Sequence, residues 1–112
     1  MYGLFNLMGY RDAGTTTTQL MAETRELVQL ADQGGFETAW FAEHHFSNYC
    51  VCPSPLVMAA HCAAATSRIK LATGIVVLPL YAPARLIAEI GMVDALSEGR
   101  LVLGVMAKRG TQ

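Results

Sequence analysis

Apolar runs of strand length alternate along the chain with stretches whose apolar residues recur every three or four positions. Tyr2–Met8 is short and mostly apolar and reads as a buried strand. After a polar loop from Gly9 to Thr16, the residues Leu20, Thr24, Leu27, Val28 and Ala31 form one stripe of an amphipathic helix. Thr16 with Gln19 makes a candidate capping box, and Gly34-Gly35 is a stop signal, because glycine accepts the left-handed conformation after a last turn. Phe36–Glu43 is the second predicted strand, with His44–Pro53 as its exit loop. Ser54-Pro55 then opens a helix: serine accepts from free amides, and proline in the first turn loses no bond. That helix, Leu56–Thr66, is apolar nearly all round and is expected to be buried on more than one face. Ile69–Leu78 is a third strand, and Pro83 begins a third helix with the stripe Leu86, Ile90, Val93 and Leu96, stopped at Gly99. Arg100–Met106 is the fourth strand.

The order β-α-β-α-β-α-β predicts right-handed crossovers and a parallel sheet, which needs helices on both faces or closure into a barrel. The 112 residues suit one α/β unit over 1–112, without repeats or linkers. With 53% hydrophobic and 15% charged residues the chain is no disordered segment. Mean hydropathy of +0.33 points to apolar surface that something else must cover. Eight Lys+Arg against nine Asp+Glu, with no basic run beyond Lys108-Arg109, argue against a nucleic-acid partner. A membrane span needs about 20 apolar residues, and the longest run, Ile75–Ala84, is shorter and holds two prolines. The start of the chain lacks the basic region of a secretory leader, and three cysteines make an odd count, so a reduced, cytoplasmic compartment is expected.

Chemistry in α/β folds sits in loops leaving the carboxyl ends of strands. That rule selects Met8–Asp12, Glu43–Asn48, Leu78–Tyr81 and Met106–Arg109. Among them Glu43-His44-His45 carries the most chemical potential, because imidazole holds or delivers a proton near neutrality. A zinc site is the competing reading: Cys50, Cys52, Cys62, His44, His45 and His61 lie close in sequence. Their spacing fits no standard zinc pattern, and Cys62 sits on an apolar helix where buried thiols are commonplace, so no metal is expected.

The strings GFETAWFAEHHF, PSPLVMAA, TSRIKLATGIVVLPLYAPARL and DALSEGRLVLGV, in that order, resemble the amino-terminal half of bacterial luciferase-like flavin monooxygenases. The resemblance implies half of a TIM barrel, with four parallel strands alternating with three helices. It implies reduced FMN supplied by a separate flavin reductase, and O2, used to oxidise a small organic substrate such as an aldehyde. His44 matches the family's catalytic acid/base, with His45 beside it and Glu43 as an orienting or charge-balancing partner. Thr73, Gly74, Ile75 and Val76 match the strand end against which the family lays its isoalloxazine ring. The Gly74-Ile75 bond matches a non-proline cis peptide, and Gly74 would let a flat ring approach the backbone; an isolated glycine is equally the usual sign of a strand bulge.

Departures from the family pattern concern the phosphate. Met106 stands where luciferase has a reactive cysteine, and the expected arginine is displaced to Arg109. Further phosphate ligands belong to the family's carboxyl-terminal half, so weak FMN binding is expected of these residues alone. Unpaired sheet edges predict self-association, as a homodimer or higher: either two halves complete a pseudo-barrel, or copies pack through the helices Leu56–Thr66 and Arg85–Leu96, the pair that the family's dimers use. Two other readings stay open. One is a truncated, catalytically silent relative acting as a self-associating partner, suggested by the polar tail Lys108–Gln112. The other is an oxidoreductase using the deazaflavin F420 as hydride carrier.

Overall fold

A computed structural model describes residues 2–6, 8–9, 14–43 and 52–106. Strands β1 (Gly3–Asn6), β2 (Thr38–Phe41), β3 (Lys70–Thr73) and β5 (Leu101–Val102) form one sheet in the order β1-β2-β3-β5, every pair parallel. Strands β4 (Val76–Val77) and β6 (Val105–Met106) make a second, two-stranded parallel pair. Helices α1 (Thr17–Gln33), α2 (Pro55–Ala63) and α3 (Pro83–Leu96) complete the alternation. The α/β class and the four-strand, three-helix rhythm match the sequence reading. The third and fourth predicted strands, however, are each broken in two, at Gly74-Ile75 and at Leu103-Gly104.

Register explains where the core lies. Leu4, Ala39, Leu71 and Leu101 are aligned across the sheet, and the next row is Phe5, Trp40, Ala72 and Val102. Successive side chains point to opposite faces. The first row joins the core with Val28, Leu56, Ala59 and Cys62 from the helices. In the second row Phe5 is 58% exposed and Trp40 36%. Among the described residues the helices thus cover one face of a parallel sheet, the arrangement of half a barrel whose interior face is open.

Local chemistry sets the helix ends. Thr16 Oγ1 accepts from the Gln19 amide at 3.1 Å, and Gln19 Oε1 accepts from the Thr16 amide at 2.9 Å, the predicted capping box. Ser54 Oγ accepts from the Val57 amide at 3.3 Å ahead of Pro55. Two predicted stripes need correction. Leu27 on α1 and Leu96 on α3 are exposed, because each helix meets neighbours over a narrower arc than its apolar stripe. The inward side of α1 is Leu20, Thr24, Val28, Ala31 and the acidic Asp32; that of α3 is Leu86 and Val93. Helix α2 ends at Ala63, earlier than predicted, and Thr66 Oγ1 donates back to the Cys62 carbonyl at 2.8 Å.

Two polar braces fasten the amino end of β3. Asp32 accepts from the amides of Ser67 (3.0 Å), Arg68 (2.9 Å) and Ile69 (2.8 Å). The Arg100 guanidinium donates to the Ala63 carbonyl (3.0 Å), the Ile69 carbonyl (3.1 Å) and Thr66 Oγ1 (2.8 Å). With the amino end held in this way, the opposite rim of the sheet is left to carry chemistry.

Candidate functional site

The carboxyl ends of β1, β2 and β3 are joined by one backbone bond and one side-chain bond. The Gly74 amide donates to the Phe41 carbonyl at 2.7 Å, and Asn6 Nδ2 donates to the Trp40 carbonyl at 3.1 Å. The peptide between Gly74 and Ile75 is cis. Beyond it the chain resumes as β4, whose Val76 amide donates to the Gly104 carbonyl at 2.8 Å.

Thr73 is fully buried, and its hydroxyl both donates to the Gly104 carbonyl (2.7 Å) and accepts from the Gly104 amide (2.8 Å). Its hydroxyl therefore serves strand pairing. Gly74 is half-buried, and a Cβ there would stand 3.2 Å from Trp40 Cε3 and 3.8 Å from Phe5 Cε1. The flat ring lying against this glycine is the protein's own indole. Ile75 is half-buried and Val76 fully buried, and Met106 is half-buried in register with Val77. His44, His45 and Arg109 lie outside the described residues.

Glu43 is buried at the end of β2, 6% exposed, rather than on the surface. Its Oε1 accepts from the Tyr81 phenol at 2.7 Å and from the Val77 amide at 3.2 Å. Burial first, then the bond to Glu43 and its charge, raise the Tyr81 phenol above its ordinary value, with smaller contributions from Cys52 and Glu89. The phenol thus keeps its proton at working pH and is a permanent donor. One carboxyl oxygen, two residues past β2, thus ties together the end of β4 and Tyr81, the residue that follows the 3-10 turn Leu78–Leu80 and leads towards α3.

Sequence reasoning singled out Glu43 and Gly74 but gave no role to Tyr81, Trp40 or Phe5. Strand alternation could have found the last two, since aligning β1 with β2 sets both aromatics on one face. Nothing local could have found Tyr81, whose partner is 38 residues away. The zinc candidates divide: Cys52 and Cys62 are buried free thiols, His61 is exposed, and His44, His45 and Cys50 lie outside the described residues. Among the described residues no three His, Cys, Asp or Glu side chains converge, and no helix is long and apolar enough to cross a membrane.

Residues 1–111 match the family model described as luciferase-like monooxygenase. The chain is 51% identical over 104 residues to the uncharacterized protein y4vJ of Sinorhizobium fredii, covering 93% of this chain and 30% of that one. It is 41% identical over 90 residues to the oxygenase component of the flavin-dependent trigonelline monooxygenase of Acinetobacter baylyi, covering 80% of this chain and 25% of the relative. Among solved structures, the oxygenating constituent of 3,6-diketocamphane monooxygenase of Pseudomonas putida, a type II Baeyer-Villiger enzyme in complex with FMN, superposes with a TM-score of 0.88. Its identity is 28%, over 97% of this chain and 30% of that one. The chain spans less than a third of the length of each of these relatives.

Proposed function

From the premise that the chain belongs to the luciferase-like monooxygenase family, we propose that it supplies the amino-terminal part of an oxygenase. That enzyme uses reduced FMN, delivered by a separate flavin reductase, and O2 to oxidise a small organic substrate, aldehydes being the first class to try. The observation that carries this reading is the open aromatic face at the strand ends. Phe5 and Trp40 lie there beside Gly74, next to the half-buried Ile75, on the rim that also holds Glu43. These groups fit the ring of a flavin: a flat, apolar wall with backbone close to its surface and a buried carboxyl group at one end. Reduced FMN, when bound, supplies the two electrons that O2 chemistry requires.

This chain's own residues do the rest. The wall of Trp40 and Phe5, backed by Gly74 and flanked by Ile75, would exclude water from one side of a bound flavin ring. Thr73 holds that wall to the fourth strand through Gly104. His44, the first residue after Glu43, moves the proton, with His45 as its neighbour and Glu43 as the orienting group. Arg109 binds the FMN phosphate, and Met106 is the other cofactor-binding position that the family resemblance assigns after Gly104. Exposed Val57 on α2 and Ile87 and Met92 on α3 support a homodimer built on those helices.

Turnover tests the reading. Full-length protein with reduced FMN, O2 and a panel of aldehydes and ketones is expected to form oxygenated product, detected by mass spectrometry with labelled O2. Hydride transfer from reduced F420 with no oxygen incorporated would replace the reading with the deazaflavin one. Absence of both activities would favour the silent, self-associating relative.

A further inference from the structure

Tyr81 lies outside every element of the four-stranded sheet, yet its phenol reaches back to the carboxyl group at the end of β2. The same oxygen, Glu43 Oε1, accepts from the amide of Val77, the last residue of β4. Strand β4 is the short segment that follows the Gly74-Ile75 step, and its opposite side is held by the bond from the Val76 amide to the Gly104 carbonyl. Gly74 in turn carries Trp40 and Phe5 against it. A chain of contacts therefore runs from the phenol through Glu43 and Val77 to the aromatic wall. The groups bearing on the phenol are Glu43 just after β2, Cys52 before α2 and Glu89 from α3, with Glu89 itself paired to Arg85. Of these, Glu43 accepts the hydrogen bond from the phenol, at 2.7 Å.

We propose that Tyr81 is a positioning residue: by donating to Glu43 it fixes the carboxyl group that holds Val77, and so sets the wall against which a flavin ring lies. This rests on the flavin reading above. The phenol itself touches no reacting atom. Its hydroxyl converts a flexible carboxyl side chain into a fixed acceptor for a backbone amide, and a bond to such a group is lost whole when the donor is removed. Replacing the tyrosine by phenylalanine keeps the half-buried ring packed against the core and deletes the donor alone.

The test compares the full-length protein with Tyr81→Phe, Glu43→Ala and the double variant. FMN is the probe, followed by quenching of its fluorescence and by its visible circular dichroism when bound. Tyr81→Phe is expected to weaken FMN binding about tenfold and to change the shape of the dichroism, which a general loss of stability does not do. If the phenol acts through Glu43, the double variant binds FMN no more weakly than Glu43→Ala alone. Losses that add in the double variant, or a Tyr81→Phe protein that binds FMN with unchanged affinity and dichroism, would overturn the proposal. Should the parent protein bind no FMN, the flavin reading falls, and hydrogen exchange of the peptide spanning residues 74–80 decides the clamp by itself. Faster exchange in both single variants, with no further gain in the double, supports it; unchanged exchange in Tyr81→Phe ends it.

Discussion

Thr73 and Gly104 clasp each other through two hydrogen bonds, the hydroxyl giving to the carbonyl at 2.7 Å and taking from the amide at 2.8 Å. The approach is so close that a Cβ on Gly104 would collide with the Thr73 carbonyl oxygen, which is backbone and cannot swing aside. Gly104→Ala is therefore expected to cost about 3 kcal/mol, as overpacking against a rigid neighbour does. Thr73→Val, nearly equal in volume but unable to make either bond, should cost about 2 kcal/mol by stranding the Gly104 amide, while the Gly104 carbonyl keeps the Val76 amide as donor. Urea denaturation of the two variants checks this. If Gly104→Ala unfolds at the parent midpoint, the close approach of the two strands is wrong.

That clasp also marks where the sequence stopped being legible. Four apolar runs, two helical stripes and one helix apolar nearly all round were readable because each signal lies within its own segment. The cap at Thr16–Gln19 and the Ser54-Pro55 start depend on residues three positions apart or fewer. The breaks at Gly74 and Gly104 were signalled only by an isolated glycine, which does not say which other strand crowds it. Leu27 and Leu96 belong to their stripes by spacing, yet lie exposed, since a stripe does not report how wide a neighbour covers it. Asp32, Arg100 and Tyr81 act through partners 31 to 38 residues distant, and polar side chains on an amphipathic pattern read simply as solvent-facing. At the candidate site, the strand-end rule singled out Glu43 and the resemblance Gly74, but neither pointed to the indole beside Gly74.

Asp32 gives a pH dependence with a definite sign. Burial opposes its ionisation, but the amides of Ile69, Arg68 and Ser67 and the Arg68 charge outweigh burial, so its carboxyl lies below the usual 3.8. A group whose folded value is depressed stabilises the fold above its unfolded value and loses that contribution as pH falls through the folded one. Stability should thus decline from about pH 5 downward, and Asp32→Asn should flatten that decline while costing about 2–4 kcal/mol near neutrality. Denaturation midpoints for parent and variant across this range provide the check. Parallel curves for the two proteins would show that the acid loss arises elsewhere.

The two described thiols should differ sharply from ordinary surface cysteines. Cys62 is fully buried on α2, and burial pushes its thiol up to about 12, with the Arg25 charge opposing only in part. The thiolate is the reactive form, so at about pH 8 a group titrating that high is almost wholly protonated and shielded as well. Iodoacetamide on the native protein, followed by peptide mass spectrometry, is expected to leave Cys62 unlabelled for hours and to label it within minutes in denaturant. Rapid native labelling at Cys62 would mean that α2 does not pack on the sheet as described.

The last expectation concerns the outer faces of α2 and α3. Val57, Ile87 and Met92 are 65%, 71% and 63% exposed, and Ala84, Ala88, Gly91 and Ala95 put small residues on the exposed surface of α3. Small residues allow helices to approach closely, and covering a large apolar side chain is worth about 1.5–3 kcal/mol. Three such side chains on each of two copies, with the small residues between them, supply an apolar driving force for pairing the helices. Sedimentation velocity of the parent protein should show a dimer at micromolar concentration, and the double variant Ile87→Glu/Met92→Glu should sediment as a monomer with an unchanged far-ultraviolet spectrum. The charges act on the free face only, since neither side chain belongs to the core. A double variant that remains dimeric would move the interface off α3, leaving the open sheet face around Phe5 and Trp40 as the surface to probe next.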